Sequence, residues 1–263
     1  MLSVIVTAIP ASYPAVKATP FHECNSGMTP PDVAFAQLVN ATAKAYVENA
    51  PAYITYREHT HITGTGTVRQ ERDINRFVQV RQSDNTAVMR DLPNGGESQG
   101  QAFPIIPYFN PFTAFSFSYF ANLKQISITL TRAVPFTFTL PSPSRDVDAS
   151  IFYIPFWKPS YAAGSTDAAP HFSVELTAHQ PRAAYLSDVV VDPQSRLPSH
   201  VVVRLQDDPT TITLDYAVLQ GHWVVTHGSM STSQTVGVFS FHVVADTTYS
   251  DMTFPTSSPD SRI

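Results

Sequence analysis

A chain of 263 residues with a net charge of −5 offers no broad electropositive surface, which argues against nucleic acid as a partner. Charged residues make up 14% of it, against roughly 25% in ordinary soluble domains, while proline reaches 22 residues. So little charge with so much Pro, Ser, Thr and Phe reads as turn-rich β-sheet, not as a helical bundle. Cys24 is the single cysteine, which excludes a disulfide framework and a cysteine-based zinc centre, and no apolar run reaches the ~18 residues of a membrane helix.

Residues 1–28 carry no periodicity. The stretch from Met1 to Pro10 has the apolar character of a secretory h-region without a basic n-region, so the segment reads either as an export-signal remnant or as a disordered N-terminus. Phe21, His22 and Glu23 put bulky and charged groups where a lipobox ahead of Cys24 would need small, apolar ones. A helix then begins: Thr29 is a capping residue, Pro30 and Pro31 suit the first turn, and Asp32 supplies an early acid. Phe35, Leu38, Val39, Thr42 and Tyr46 follow at the spacing of one buried stripe, and Asn49-Ala50-Pro51 ends it.

From Tyr53 the period becomes two. Tyr53–Ile62, Thr65–Arg72, Phe77–Arg81 and Ala87–Leu92 predict four strands of an up-and-down meander. Pro93-Asn94-Gly95-Gly96 opens a long connector whose stretch from Phe103 to Phe120 holds no charge. It carries Phe103, Tyr108, Phe109, Phe112, Phe115, Phe117, Tyr119 and Phe120, punctuated by Pro104, Pro107 and Pro111. At roughly 25 cal/mol per Å2 and 150–250 Å2 for each ring, the set would contribute on the order of 30 kcal/mol before entropy, so the connector must fold against the sheet.

Beyond it, Ile126, Ile128 and Leu130 oppose Ser127, Thr129 and Thr131, and Phe136, Phe138 and Leu140 oppose Thr137 and Thr139. Ile151–Trp157 and Phe172–Ala178 predict further strands. The last third reads as hairpins: Tyr185–Val191 turns at Asp192-Pro193-Gln194-Ser195 into Leu197–Leu205. Ile212–Val218 then turns at Gln220-Gly221 into His222–His227, and Val236–Ala245 closes the set. About ten or eleven strands that alternate apolar with Ser/Thr cannot stay flat with one face wet, so the sheet must curl. One domain over 29–255 with a flexible tail at 256–263 is the economical division.

The order of parts resembles the LolA-like superfamily, periplasmic carriers of lipoproteins and lipids. The matching pieces are the helix Asp32–Ala41 running directly into the strand Tyr53–Thr60, a connector that breaks the meander, and the hairpin Asp188–Asp192 with Leu197–Arg204 followed by Thr211–Tyr216. The likeness spans roughly residues 31–255 and is one of layout, without a diagnostic motif. It implies a strongly curved, unclosed antiparallel β half-barrel lidded by an N-terminal helix and an aromatic helix or loop over an apolar cavity. It further implies a non-enzymatic monomer in the periplasm or outside the cell, taking a lipid or acylated protein with transient membrane contact and needing no cofactor. The chain departs in its length, its prolines and a second aromatic patch at Phe152, Tyr153, Phe156, Trp157 and Tyr161.

Tyr108, Phe109, Phe112, Phe115, Tyr119 and Phe120, with Phe35 and Leu38 of the helix, are the candidate ligand-binding residues. The same rings read equally as the core of a large sheet, in which case the protein is a structural or interaction module of sandwich or jelly-roll type. His59 and His61 share one strand face at metal-ligand reach, with His222 or His227 as a third donor, but they read first as partly exposed strand histidines and no metal is expected. Arg57, Arg69, Arg72, Arg76, Arg81 and Arg90 could meet anionic head groups, or could form a solvated face with Glu58, Glu71 and Asp73. Ser229 and Ser231 near His227 lack any nucleophile motif, so no catalytic residue is expected.

Overall fold

The computed structural model describes residues 30–66, 70–83, 86–92, 107–114, 123–131, 136–143, 157–179, 184–236 and 239–259. The chain runs α1 (Pro30–Glu48), β1 (Tyr53–Thr65), β2 (Gln70–Arg81), β3 (Thr86–Asp91), α2 (Pro111–Ala114), β4 (Leu123–Thr131), β5 (Phe136–Pro143), β6 (Trp157–Tyr161) and β7 (His171–Leu176). It continues through β8 (Ala184–Val191), β9 (Pro198–Leu205), β10 (Thr211–Leu219), β11 (His222–Val236) and β12 (Phe239–Thr253). All strands join one 12-stranded sheet in the order β5-β4-β3-β2-β1-β12-β11-β10-β9-β8-β7-β6. β5 and β6 are its two free edges, so the sheet is an unclosed half-barrel. Every neighbouring pair is antiparallel except β3 with β4, which are parallel. The residues between Asp91 and Leu123 make that possible, because a parallel return requires a long crossover.

The expected mainly β, unclosed sheet is what the chain forms, with 12 strands among the described residues where the sequence pattern predicts about ten or eleven. One strand boundary is corrected. The separate strands expected at Thr65–Arg72 and Phe77–Arg81 are one, β2, because Asp73, Asn75 and Arg76 continue the ladder opposite His61, His59 and Glu58 of β1. Asp73 and Asn75, which look like part of a turn, are here the wet face of an unbroken strand, while Arg76 belongs to its buried face. β11 and β12 likewise run on through their Ser- and Thr-rich ends, paired as far as Val236 with Phe239. Residues 1–28, Phe115 to Phe120 and the beginning of the strand expected at Ile151–Trp157 lie outside the described residues.

α1 keeps the boundaries its Pro30 start and apolar stripe dictate, and buries Phe35, Leu38 and Thr42. Val39 and Tyr46 pack on the same core. Along β10, Ile212, Leu214 and Tyr216 are buried while Thr211, Thr213 and Asp215 are only half covered, the one-face pattern of an amphipathic strand. Gln220 and Gly221 join β10 to β11 with φ of 53° and 85°. Positive φ at both positions is what a tight two-residue hairpin of the sheet's twist demands. The opposite hairpin is held by Asp192, whose Oδ1 accepts from the Ser195 amide at 2.6 Å, the Gln194 amide at 3.1 Å and the Ser195 hydroxyl at 2.9 Å.

The inner face is not uniformly apolar. Glu58 of β1 stands opposite Arg76 of β2, and Arg76 opposite Asp91 of β3. Glu58 and Arg76 are 4% and 0% exposed, so neither belongs to a solvated arginine face. Arg76 Nε lies 3.4 Å from Asp91 Oδ1, and Thr60 donates to Glu58 Oε1 at 3.2 Å while sharing a 2.9 Å hydroxyl contact with Thr247. Burial pushes the Glu58 carboxyl above the usual range, against the opposing pull of the Arg76 guanidinium and the Thr60 hydroxyl. Removing one charge of such a set strands the others in a low dielectric. Arg76→Met should therefore lower unfolding stability in urea by about 3–5 kcal/mol, and adding Glu58→Gln should recover part of the loss.

Candidate functional site

Phe35 is the centre of a ring cluster beneath α1. It meets Phe112 edge-on at 5.7 Å, Phe172 of β7 edge-on at 5.3 Å, and Trp157 of β6 tilted at 6.3 Å. One turn from the other end of α1, Tyr46 stacks on Tyr108 at 4.5 Å, and the Tyr108 hydroxyl donates to the Tyr46 carbonyl. The connector around these rings is fastened at several points. The Val225 amide donates to the Pro107 carbonyl at 2.7 Å, the Tyr216 hydroxyl to the Phe109 carbonyl at 3.3 Å, and the Phe112 amide to Asn110 Oδ1 at 3.0 Å. Pro107 and Phe109 thus tie the connector to β11 and β10, and Asn110 orders the turn that leads into Phe112.

Beside this filled region lies an open cleft of about 420 Å3 between α1 and the β6–β7 hairpin. Ala34, Leu38 and Ala41 line one wall at helical spacing; Tyr161, Phe172 and Val191 line the other. Ser165, Thr166, Asp167 and Arg196 give its rim a polar edge. Arg196, at φ 60°, donates through Nη1 to the carbonyls of Asp167 at 3.0 Å and Ala168 at 2.7 Å, which ties the β6–β7 loop to the β8–β9 turn and fixes the mouth. Two buried polar atoms, Thr42 Oγ1 on α1 and Trp157 Nε1 in the ring cluster, have no hydrogen-bond partner among the described residues. Groups of that kind are ordinarily satisfied by water or a ligand.

Of the predicted ligand-binding residues, Leu38 lines the cleft. Phe35, Tyr108 and Phe112 are buried in the core next to it, and Phe109 packs on that core half-exposed. Phe115, Tyr119 and Phe120 lie outside the described residues. The cleft wall contributed by Ala34, Ala41, Ala162, Pro170 and Arg196 was not legible in the sequence. Its one local signal is the pair of small residues flanking Leu38 on α1, which leaves room beside the apolar stripe.

The remaining candidates are also placed. His61 Nδ1 lies 2.8 Å and His59 Nε2 3.3 Å from the same Asp73 oxygen across the β1–β2 pair. His222 instead donates to the Asn49 carbonyl at 2.6 Å, fastening the chain just past α1. Among the described residues no group of His, Cys, Asp and Glu is arranged to hold a metal ion. His227 has both ring nitrogens engaged, by Asp215 at 2.9 Å and Asp246 at 3.0 Å, so neither is turned to a serine. Arg57 pairs with Asp251 at 3.1 Å, and the Arg90 guanidinium sits 5.5 Å above the Phe77 ring.

No protein-family model matches the chain, and no curated protein matches it by sequence. Among solved structures it is similar to a LolA superfamily protein from Nitrosomonas europaea, at 16% identity over 86% of this chain and 95% of that one, with a TM-score of 0.39. It is similar to a DUF1329 family protein from Desulfovibrio piger at 10% identity, over 89% and 97% of the two chains, with a TM-score of 0.44. It is also similar to a domain described as an outer membrane lipoprotein-sorting protein from Vibrio parahaemolyticus at 11% identity, over 85% and 94%, with a TM-score of 0.38.

Proposed function

We propose that this protein is a non-enzymatic carrier of apolar chains, the acyl groups of a lipid or of an acylated protein, acting in the periplasm or outside the cell. The observation that carries the reading is the cleft between α1 and the β6–β7 hairpin. Its volume of about 420 Å3 falls in the range of small-molecule sites, its walls combine alanine, leucine, valine and aromatic carbon with Gln37 of α1, and its rim is polar. That is the pattern an amphiphile needs: hydrocarbon against the walls, head group at the mouth. Each methylene withdrawn from water there would contribute about 0.8 kcal/mol.

In this reading the aromatic connector, with Tyr108, Phe109 and Phe112, is the cover that holds the inner face closed. The cleft lies at its side, so a chain can enter along Leu38 without displacing the Phe35 cluster. No helix among the described residues is long and apolar enough to cross a membrane. In this reading membrane contact is transient and made at the cleft mouth.

A second reading, a structural or interaction module without a small ligand, is favoured by one observation: Phe35, Phe112, Trp157 and Phe172 fill the space under α1 with one another. Native mass spectrometry of protein purified from a membrane-containing host separates the two. The carrier reading expects co-purified lipid, or saturable uptake of an added long-chain fatty acid; protein that stays empty in both tests overturns it. Ala41 is exposed on the cleft wall, so Ala41→Trp should fill the cleft with little effect on folding. Fatty-acid affinity should then fall about tenfold, a loss of ~1.4 kcal/mol in a titration by calorimetry.

A further inference from the structure

The outer face of the sheet, away from α1, carries a row of side chains that the carrier reading does not use. His200 of β9 stands opposite Asp215 of β10, and Asp215 opposite His227 of β11. His227 reaches diagonally to Asp246 of β12; Asp246 is opposite His61 of β1, and His61 opposite Asp73 of β2. Histidine and aspartate therefore alternate strand by strand across the middle of the sheet. The contacts are short: His200 Nδ1 to Asp215 Oδ1 2.6 Å, His227 Nδ1 to Asp215 Oδ2 2.9 Å, His227 Nε2 to Asp246 Oδ2 3.0 Å, and His61 Nδ1 to Asp73 Oδ1 2.8 Å.

His227 is the residue whose chemistry decides the state of this row. A neutral imidazole has one N–H, and its other nitrogen is an acceptor. Both nitrogens of His227 point at carboxylate oxygens, which only accept. The arrangement is satisfied when the ring is an imidazolium and leaves one nitrogen lone pair facing a carboxylate when it is not.

We propose that this row is a proton-dependent clamp across the β10–β11–β12 seam, closed when His227 is doubly protonated and loosened when it loses a proton.

The groups that face His227 from its neighbours are Asp215 on β10, and Asp246 and the uncharged Thr248 on β12. Behind them stand His200 on β9, His59 and His61 on β1, and Asp73 and Glu71 on β2; Arg57 on β1 is occupied by Asp251. Burial of the His227 ring pulls its pKa down, but the hydrogen bonds to Asp215 and Asp246 and the charges of both carboxylates outweigh it and hold the ring above its ordinary 6.5. Burial pushes Asp215 up, and its hydrogen bonds and ion pairs with His200 and His227 more than reverse that, holding it below the usual carboxylate range. A histidine whose pKa is raised by folding binds its proton more tightly in the native state than in the unfolded one. Its contribution to stability is complete below about pH 6.5 and disappears as pH rises through the native midpoint.

The seam it bridges joins two parts of the sheet. β1, β2 and β3 reach β8 through β11 only by way of β12. A proton on His227 thus bears on how firmly the N-terminal strands are held to the C-terminal hairpins. This inference stands on the outer face alone and does not depend on what the cleft binds.

The test is NMR titration of the histidine rings in the full chain, combined with melting temperature against pH for the wild type, Asp246→Asn and Asp215→Asn. An asparagine can satisfy a neutral imidazole in either amide orientation, so each variant removes the need for the second proton. The wild-type His227 should titrate above 6.5 and move down in both variants. The wild type should melt higher than Asp246→Asn at pH 5.5, with the gap closing as pH passes the His227 midpoint. A wild-type midpoint at or below 6.5, or a gap in melting temperature that is the same at all pH values, overturns the proposal. Should Asp215→Asn fail to fold, the half-exposed Asp246 variant and the wild-type titration still decide it.

Discussion

An open sheet of amphipathic strands holds its shape only if something covers its inner face. Among the described residues, one stripe of α1 and residues 107–114 of the connector supply that cover, and they meet at Phe35. That ring touches the connector through Phe112 and the far strands through Trp157 and Phe172. Such edge-on and tilted contacts add to the area that the rings bury. The hydrogen bonds of Pro107, Phe109 and Asn110 then fix where the connector can lie. Phe35 packs α1 onto Trp157 and Phe172 of the β6–β7 hairpin, and the cleft opens beside that contact.

The two faces of the sheet solve different problems. Inside, the apolar rows of β8 to β11 continue into a buried polar set at Glu58, Arg76, Thr60 and Thr247, where charge and hydroxyl groups must satisfy one another away from water. Outside, half-exposed histidines and aspartates pair across strands where solvent still reaches them. The strand period of two makes this division possible: Glu58 and His59 are neighbours in sequence and belong to opposite environments.

Much of this architecture can be read from local pattern. α1 announces itself through Pro30, Asp32 and the spacing of Phe35, Leu38, Thr42 and Tyr46, all of which are short-range signals. The hairpin turns at Asp192 and at Gln220-Gly221 are equally local, because their side chains or their φ angles dictate them. What could not be read depends on register between distant strands. β2 looks like two strands because its wet face is polar enough to resemble a turn, and only pairing with β1 shows it to be continuous. Arg76 sits in a sequence crowded with exposed charge and is buried because Glu58 and Asp91 stand opposite it. The cleft has no motif, since its walls come from α1, the β6–β7 hairpin and the β8–β9 turn. His227 shows no partner nearby in sequence; Asp215 and Asp246 reach it from two other strands.

The claim on which the functional account rests is that a hydrocarbon chain lies between α1 and the β6–β7 hairpin. The chain has two tryptophans, Trp157 in the ring cluster bordering the cleft and Trp223 stacked on Tyr216 at 4.3 Å. In a Trp223→Phe background Trp157 is the one indole left, and it reports from the ring cluster next to the cleft. Titration with a fatty acid brominated along its chain should quench that fluorescence saturably, and the unbrominated acid should reverse it. Emission that stays unchanged while the acid is bound, or no binding at all, would contradict the account.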